Sequence, residues 1–191
     1  MKNETNDFFE KTISLAIKGE AKAQEALFKH YYSTMMNICF RYAEDQNEAK
    51  DMLQEGFIRI LQNLKSFNNE GSFEGWIKKI MVNSSIDYIR KYRKHVTISI
   101  DDVHDSYNQS VSYNDALNNL STKELMSLLN TLPTMSKTVF NLFVFDGFSH
   151  AEIAKKLNMK EGTSMWHVNN ARTILKAKIA KIYKMEEVTN G

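Results

Sequence analysis

Apolar residues recur at helical spacing along most of this chain. Between residues 20 and 43, Ala26, Leu27, His30, Tyr31, Met35, Ile38 and Tyr42 return every three or four positions, which marks one face of an α-helix. A preceding helix over 6–18 is set off from it by Gly19, a residue that ends helices because it takes left-handed backbone at little cost. A third helix opens at Asp45, where Asp45 and Glu48 resemble a capping box, and its apolar stripe is Leu53, Phe57, Ile60, Leu61 and Leu64. Polar SFNNEGS at 66–72 breaks the pattern. Ser72 can then cap a fourth helix, FEGWIKKIMVNSSIDYIRKYRK, with Phe73, Trp76, Ile77, Ile80 and Ser84 on one side and Lys78, Lys79 and Asn83 outside that stripe.

From His95 to Asn114 no period is sustained. Val96, Ile98 and Ile100 alternate as in a short strand, but one strand has no sheet to join, so 95–114 reads as a flexible linker. The helical pattern then resumes. Ser121 to Glu124 is a capping box, Pro133 suits the first turn of the next helix, and TMSKTVFNLFVF runs to Asp146 and Gly147. Ser149 to Glu152 caps a short helix through Leu157, NMK makes a turn, and a long helix starts near Glu161. Two helices joined by a three-residue turn, the second longer and basic, fit a helix-turn-helix. The expected fold is all-α: two small helical domains, 1–94 and 115–191, joined by the linker.

Composition narrows the function classes. With one Cys in 191 residues there is no disulfide framework and no Cys-rich zinc site. A bundle enzyme would need chemistry the chain lacks: there is no paired Glu-x-x-His, no Cys-His cluster and no Gly-rich phosphate loop. The expectation is therefore a non-enzymatic protein without metal or cofactor. No apolar run is long enough for a signal peptide or a membrane span, so a cytoplasmic location is expected. Cys39, amid apolar residues, reads as a small core residue.

The formal net charge is +2, but it is unevenly spread. Arg90, Lys91, Arg93 and Lys94 crowd the end of the fourth helix against Asp87 alone, and after Gly147 the cations include Lys155, Lys156, Lys160, Arg172, Lys176 and Lys178. Two separate basic patches fit two contacts with a polyanion, or two solvated helix faces. Asp87 lies near the apolar side of its helix and reads as one half of a structural salt bridge. On the third helix, Asp51, Gln54 and Glu55 form a face with no basic partner in the preceding turn, free to meet a partner protein.

In the last helix Val168, Ala171, Leu175, Ile179 and Ile182 share the inward sector. The opposite face then carries Thr163, Trp166, Asn169, Asn170 and Thr173, with Met165 and His167 at its flanks. Such a face reads bases without arginine: Asn pairs with adenine, His donates to guanine, and Trp or Met meets a thymine methyl. Lys155, Lys156, Lys160, Arg172 and Lys176 are then left for phosphates. Two alternatives stay open: Trp166 as a core or interdomain residue, and Arg172 as a partner of Glu152.

The motifs D-x-x-Q-E-x-F at 51–57 and F-x-x-W-I-x-x-I-x-x-N-x-x-x-D-x-x-R at 73–90 are followed by L-P at 132–133, E-I-A-x-x-L at 152–157, E-G-T at 161–163 and A-R at 171–172. In this order and at these distances they resemble bacterial extracytoplasmic-function (ECF) sigma factors, over nearly the whole chain. The resemblance implies that the first domain, region 2, binds core RNA polymerase and melts the minus-10 element, while the second, region 4, reads the minus-35 duplex. It assigns Asp51, Gln54 and Glu55 to the polymerase, and Phe67, Asn68, Asn69 and Ser72 to the loop that takes in a flipped minus-10 base. Lys79 and Asn83 fall to the non-template strand, and Arg90, Lys91, Arg93 and Lys94 to phosphates near the melted edge. Lys160, Thr163, Met165, Trp166, His167, Asn169, Asn170 and Arg172 fall to the minus-35 element. Family members commonly carry basic residues where Met165, His167 and Asn170 stand, so the family's minus-35 sequence does not transfer. The resemblance further implies a linker near the RNA exit path and an anti-sigma factor as a second protein partner. The alternative, a stand-alone helix-turn-helix regulator with a sensing bundle, leaves the acidic face and the basic end of the fourth helix unexplained.

Overall fold

The computed structural model describes residues 2–68, 71–92 and 122–189, with side chains over 10–68, 71–92 and 124–182. Every regular element among the described residues is helical. The chain divides into two compact units, Met1–Tyr92 and Arg93–Gly191. The expected linker at 95–114 and the expected cap at Ser121 lie outside the described residues.

The first unit consists of α1 (Lys2–Ile17), α2 (Ala21–Tyr42), α3 (Gln46–Asn63), a 3-10 turn (Leu64–Ser66) and α4 (Phe73–Tyr92). Gly19, at φ +89°, separates the first two as its sequence position requires. The Asp45 carboxylate accepts the Asn47 and Glu48 amides at 2.8 Å each. Glu48 reaches back to the Glu44 amide at 2.5 Å, so this arm of the box lands one residue early. Leu27, Met35, Cys39 and Tyr42 of α2 meet Met52 and Ile60 of α3, Leu64, and Ile77 and Met81 of α4 in a fully buried core. Burial pushes the Cys39 thiol up to about 12, which leaves it an inert core residue.

Two contacts fix α4 against α3. At Gly56 a Cβ would stand 2.5 Å from Sδ and Cε of the buried Met81, so a side chain there requires the Met81 thioether to shift. Arg59 donates to Asp87 at 2.5 Å, with Arg90 at 3.9 Å from the same carboxylate. Asp87 is thus half of a structural ion pair, as its position on the helix suggests.

The second unit contains α5 (Thr122–Leu129), α6 (Thr134–Phe140, continued by a π-turn over Asn141–Phe145), α7 (His150–Leu157) and α8 (Glu161–Thr189). Pro133 occupies the N-cap of α6 rather than its first turn, with extended ψ of 139°. The π-turn closes when the Asp146 amide donates to Asn141, and Gly147 at φ +72° turns the chain toward α7. Ser149 and Glu152 form both arms of a capping box. Asn158 ends α7 in left-handed backbone (φ 52°), which Asn tolerates better than most residues, and starts the turn into α8. Leu128, Leu129, Leu132 and Phe140 pack on Ala171, Leu175 and Ile179 of α8. Ile182, expected in this core, is 36% exposed, one turn beyond the last buried position among the described residues of the helix.

Ser149→Ala removes a cap worth about 1 kcal/mol. The second unit is expected to unfold at lower denaturant, read by Trp166 fluorescence in a Trp76→Phe background, while the first unit's midpoint stays in place.

Candidate nucleic-acid interface

Trp76, Lys79, Asn83, Asp87 and Arg90 recur at three- and four-residue steps and therefore share one side of α4. The loop leading into this helix is held at both ends. Phe67 is half-buried, with its ring 4.9 Å from Phe73 and 5.6 Å from Trp76, and Phe73 in turn meets Tyr31. At the other end Ser72 Oγ accepts the Gly75 amide at 2.9 Å, which is the expected cap. Asn68 and Lys79 are exposed and Asn83 is half-buried. Phe67, Ser72, Lys79, Asn83 and Arg90 thus belong to one helix and its entry loop. Asn69, Arg93 and Lys94 lie outside the described residues.

Lys91 and Glu55 depart from expectation together. Lys91 Nζ lies 3.7 Å from Glu55 Oε1, the Tyr92 hydroxyl donates to the same oxygen at 3.4 Å, and the ammonium sits 4.5 Å from the Tyr92 ring. The acidic face is therefore not without a basic partner, and Lys91 is not an unengaged phosphate contact. The partner comes not from the preceding turn of α3 but from α4. Beside this pair the Tyr88 hydroxyl is pushed up by burial, then by the carboxylates of Asp51, Glu48 and Glu55. Asp51 and Gln54 remain exposed.

Ile58 completes that face and was missed in the sequence. It is 54% exposed, four residues after Gln54 and seven after Asp51. The apolar stripe of α3 leaves it out, and that omission is the signal: an isoleucine on the polar side of an amphipathic helix offers apolar area to a partner.

On α8 the boundary between inside and outside is shifted from the wheel. Met165, Asn169 and Thr173 are exposed; Thr163, Trp166 and Arg172 are half-buried; Lys160, just before the helix, is exposed. His167, expected at the edge of the reading face, is 5% exposed, with Nδ1 3.0 Å from Ser136 Oγ on α6. Asn170, expected on that face, is half-buried and donates to the same oxygen at 3.2 Å. Neither is turned outward to read a base. Polar residues of α8 need not face solvent, because the buried Ser136 of α6 meets His167 Nδ1 and accepts from the Asn170 amide, while His167 Nε2 is buried without a hydrogen-bond partner. A second hydroxyl–imidazole contact, His150 Nδ1 to Ser164 Oγ at 3.0 Å, ties the start of α7 to α8. Trp166 stands edge-on to the His167 ring at 4.9 Å, on the border of the domain. The Arg172 guanidinium lies 5.9 Å from the Phe143 ring.

Burial pushes the His167 imidazole down to about 4 from an ordinary 6.5. Burial also lowers His150, joined by the Arg172 charge and opposed by Glu161. As pH falls from 6.5 toward 4, the unfolded chain binds a proton at His167 that the folded one refuses, so stability is lost in that window. The second unit is expected to lose up to about 3 kcal/mol there, measured by denaturant titrations at stepped pH, and His167→Gln flattens the slope. Asn170→Ala is expected to cost about 1 kcal/mol of stability and to weaken duplex binding evenly across sequences in competition assays.

Two family models match the chain: Sigma-70 region 2 over residues 27–95 and Sigma-70, region 4 over residues 122–175. The first runs from within α2 through α4 and the second from α5 to Leu175 of α8. The ECF RNA polymerase sigma factor SigW of Bacillus subtilis is 28% identical over 178 residues, 88% of this chain and 95% of SigW. The ECF RNA polymerase sigma-E factor of Haemophilus influenzae is 25% identical over 171 residues, 85% of this chain and 90% of that protein. The sigma factor RpoE, solved in complex with the anti-sigma factor NepR from Bartonella quintana, shares the fold at a TM-score of 0.50 and 18% identity, over 83% of this chain and 96% of that one. Both domain models occur in order, and relatives align along nearly their whole length: the chain belongs to the ECF family of RNA polymerase sigma factors.

Proposed function

We propose that this chain joins core RNA polymerase as a non-catalytic promoter-specificity subunit, with 1–94 acting as region 2, 95–114 as linker and 115–191 as region 4. The observation that carries the reading is the division of labour on one helix pair: α3 leaves Asp51, Gln54 and Ile58 exposed, while α4 aligns Trp76, Lys79, Asn83 and Arg90 along one side. One surface suits a protein and the other a nucleic-acid strand.

In this reading the polymerase docks on α3 and supplies all bond-making chemistry. The melted minus-10 strand runs along α4, with its phosphates near Lys79 and Arg90 and Asn83 beside the bases. A base leaving the duplex loses a few kcal/mol of stacking, and the half-buried rings of Phe67 and Trp76 offer it an aromatic neighbour. Asn69, Arg93 and Lys94, which the family resemblance assigns to the same strand, lie outside the described residues. The second unit binds the minus-35 duplex, with Lys160 and Lys176 near phosphates and Met165, Trp166 and Asn169 toward the bases. An anti-sigma factor, as seen with RpoE, is a fitting second partner. The protein works where the polymerase is, in the cytoplasm, in keeping with the absence among the described residues of any helix long and apolar enough to cross a membrane.

The test is co-elution of the purified chain with core polymerase. A stable complex is expected, and Gln54→Ala with Glu55→Ala is expected to weaken it by about tenfold or more; Ile58→Asp is expected to act in the same direction. Unchanged affinity in both variants contradicts the assignment of this face.

A further inference from the structure

With His167 inside the domain and Asn170 tied to Ser136, few side chains over the first turns of α8 are left to reach a base. The exposed ones from Glu161 to Leu175 are Glu161, Gly162, Met165, Asn169 and Thr173, with Thr163, Trp166, Asn170, Arg172 and Ile174 half-buried. Thr173 has already committed its hydroxyl, which donates to the Asn169 carbonyl at 3.0 Å. Arg172, half-buried, lies over Phe143. The exposed set contains one amide side chain, one long apolar side chain and no cation.

We infer that Asn169 is the base reader of α8 and that it reads an adenine, with Met165 set against the methyl of a neighbouring thymine. The inference rests on the proposed binding of a minus-35 duplex and adds what that duplex contains. Chemistry decides the bases. Direct readout of guanine in the major groove is the work of Arg, Lys or His, and no such side chain is exposed between Glu161 and Leu175. An Asn amide both donates and accepts, which matches adenine N7 and N6 in a bidentate pair, and a thioether on a flexible stem suits the thymine methyl. Met165 and Asn169 are four residues apart, ~6 Å along the axis, which corresponds to one or two base-pair steps of ~3.4 Å. The adenine and the thymine methyl therefore belong to adjacent or next-adjacent pairs. Lys155, Lys160 and Lys176, all exposed outside this patch, supply the charge without adding base preference.

The test combines the full chain, core polymerase and promoter fragments randomised upstream, and sequences the templates that give transcripts. The expected minus-35 element has an adenine preferred about ten- to a hundredfold at one position, with a thymine methyl one or two pairs away. Asn169→Ala is expected to flatten that one position while the rest of the element survives. Asn169→Arg is expected to move it toward guanine, and Met165→Ala to weaken the thymine alone. A guanine-centred element unaltered by the Asn169 variants overturns the inference. So does an Asn170→Ala variant that flattens a single position while Asn169→Ala does not. Transcripts that start without any selected upstream element overturn it too, while leaving polymerase binding and minus-10 melting in force. Failure to form a polymerase complex, or to start transcription at all, instead brings down the proposed function on which it stands.

Discussion

Ser136 holds two residues of α8 with one oxygen, and the rotation of that helix depends on it. The hydroxyl sits in the interior of the second unit, in reach of His167 and of the Asn170 amide. Rotating α8 to bring either residue outward would strand a buried hydroxyl and expose aliphatic surface at Val168 and Ala171. The aliphatic contacts with α5 and α6 supply most of the burial, but apolar packing tolerates sliding that a paired polar contact does not. The exposed side chains left to the proposed DNA face are therefore few: Met165, Asn169 and Thr173, with Trp166 at the border.

The first unit works under a similar constraint. Part of α4 is given to the core through Ile77, Met81, Ile86 and Ile89, and the Met81 thioether fills the space beside Gly56 of α3. Arg59 and Asp87 lock the two helices from the solvent side, an exposed pair worth about 0–1 kcal/mol and more useful for register than for stability. The link from Glu55 to Lys91 and Tyr92 joins the proposed polymerase face to the basic end of α4. The two working surfaces are electrostatic neighbours, and a protein docking on Glu55 also acts on the charge of Lys91.

Most of the fold was legible because its signals are local. Gly19, Asp45, Ser72, Ser149 and the turn at Asn158 punctuate the chain, and each cap or turn uses chemistry that a linear reading supplies. The family motifs were legible for the same reason. The local departures are one-residue shifts at Glu48 and Pro133; the misreadings that change the candidate site are non-local. Lys91 finds Glu55 across a helix pair; His167 and Asn170 find Ser136 on a helix more than thirty residues earlier. A helical wheel records which residues share a side, but it cannot register that a polar residue elsewhere turns part of the polar side inward. Ile58 failed in the opposite direction, an apolar residue that packs on nothing within its own unit strongly enough to be covered.

The central claim is that this chain gives polymerase a promoter preference. Core polymerase from the same organism, mixed with genomic fragments with and without the purified chain, allows every transcript start to be mapped. The expected result is a set of new starts sharing two upstream elements at fixed spacing, absent when the chain is left out. An identical start map under both conditions, despite a folded chain, contradicts it.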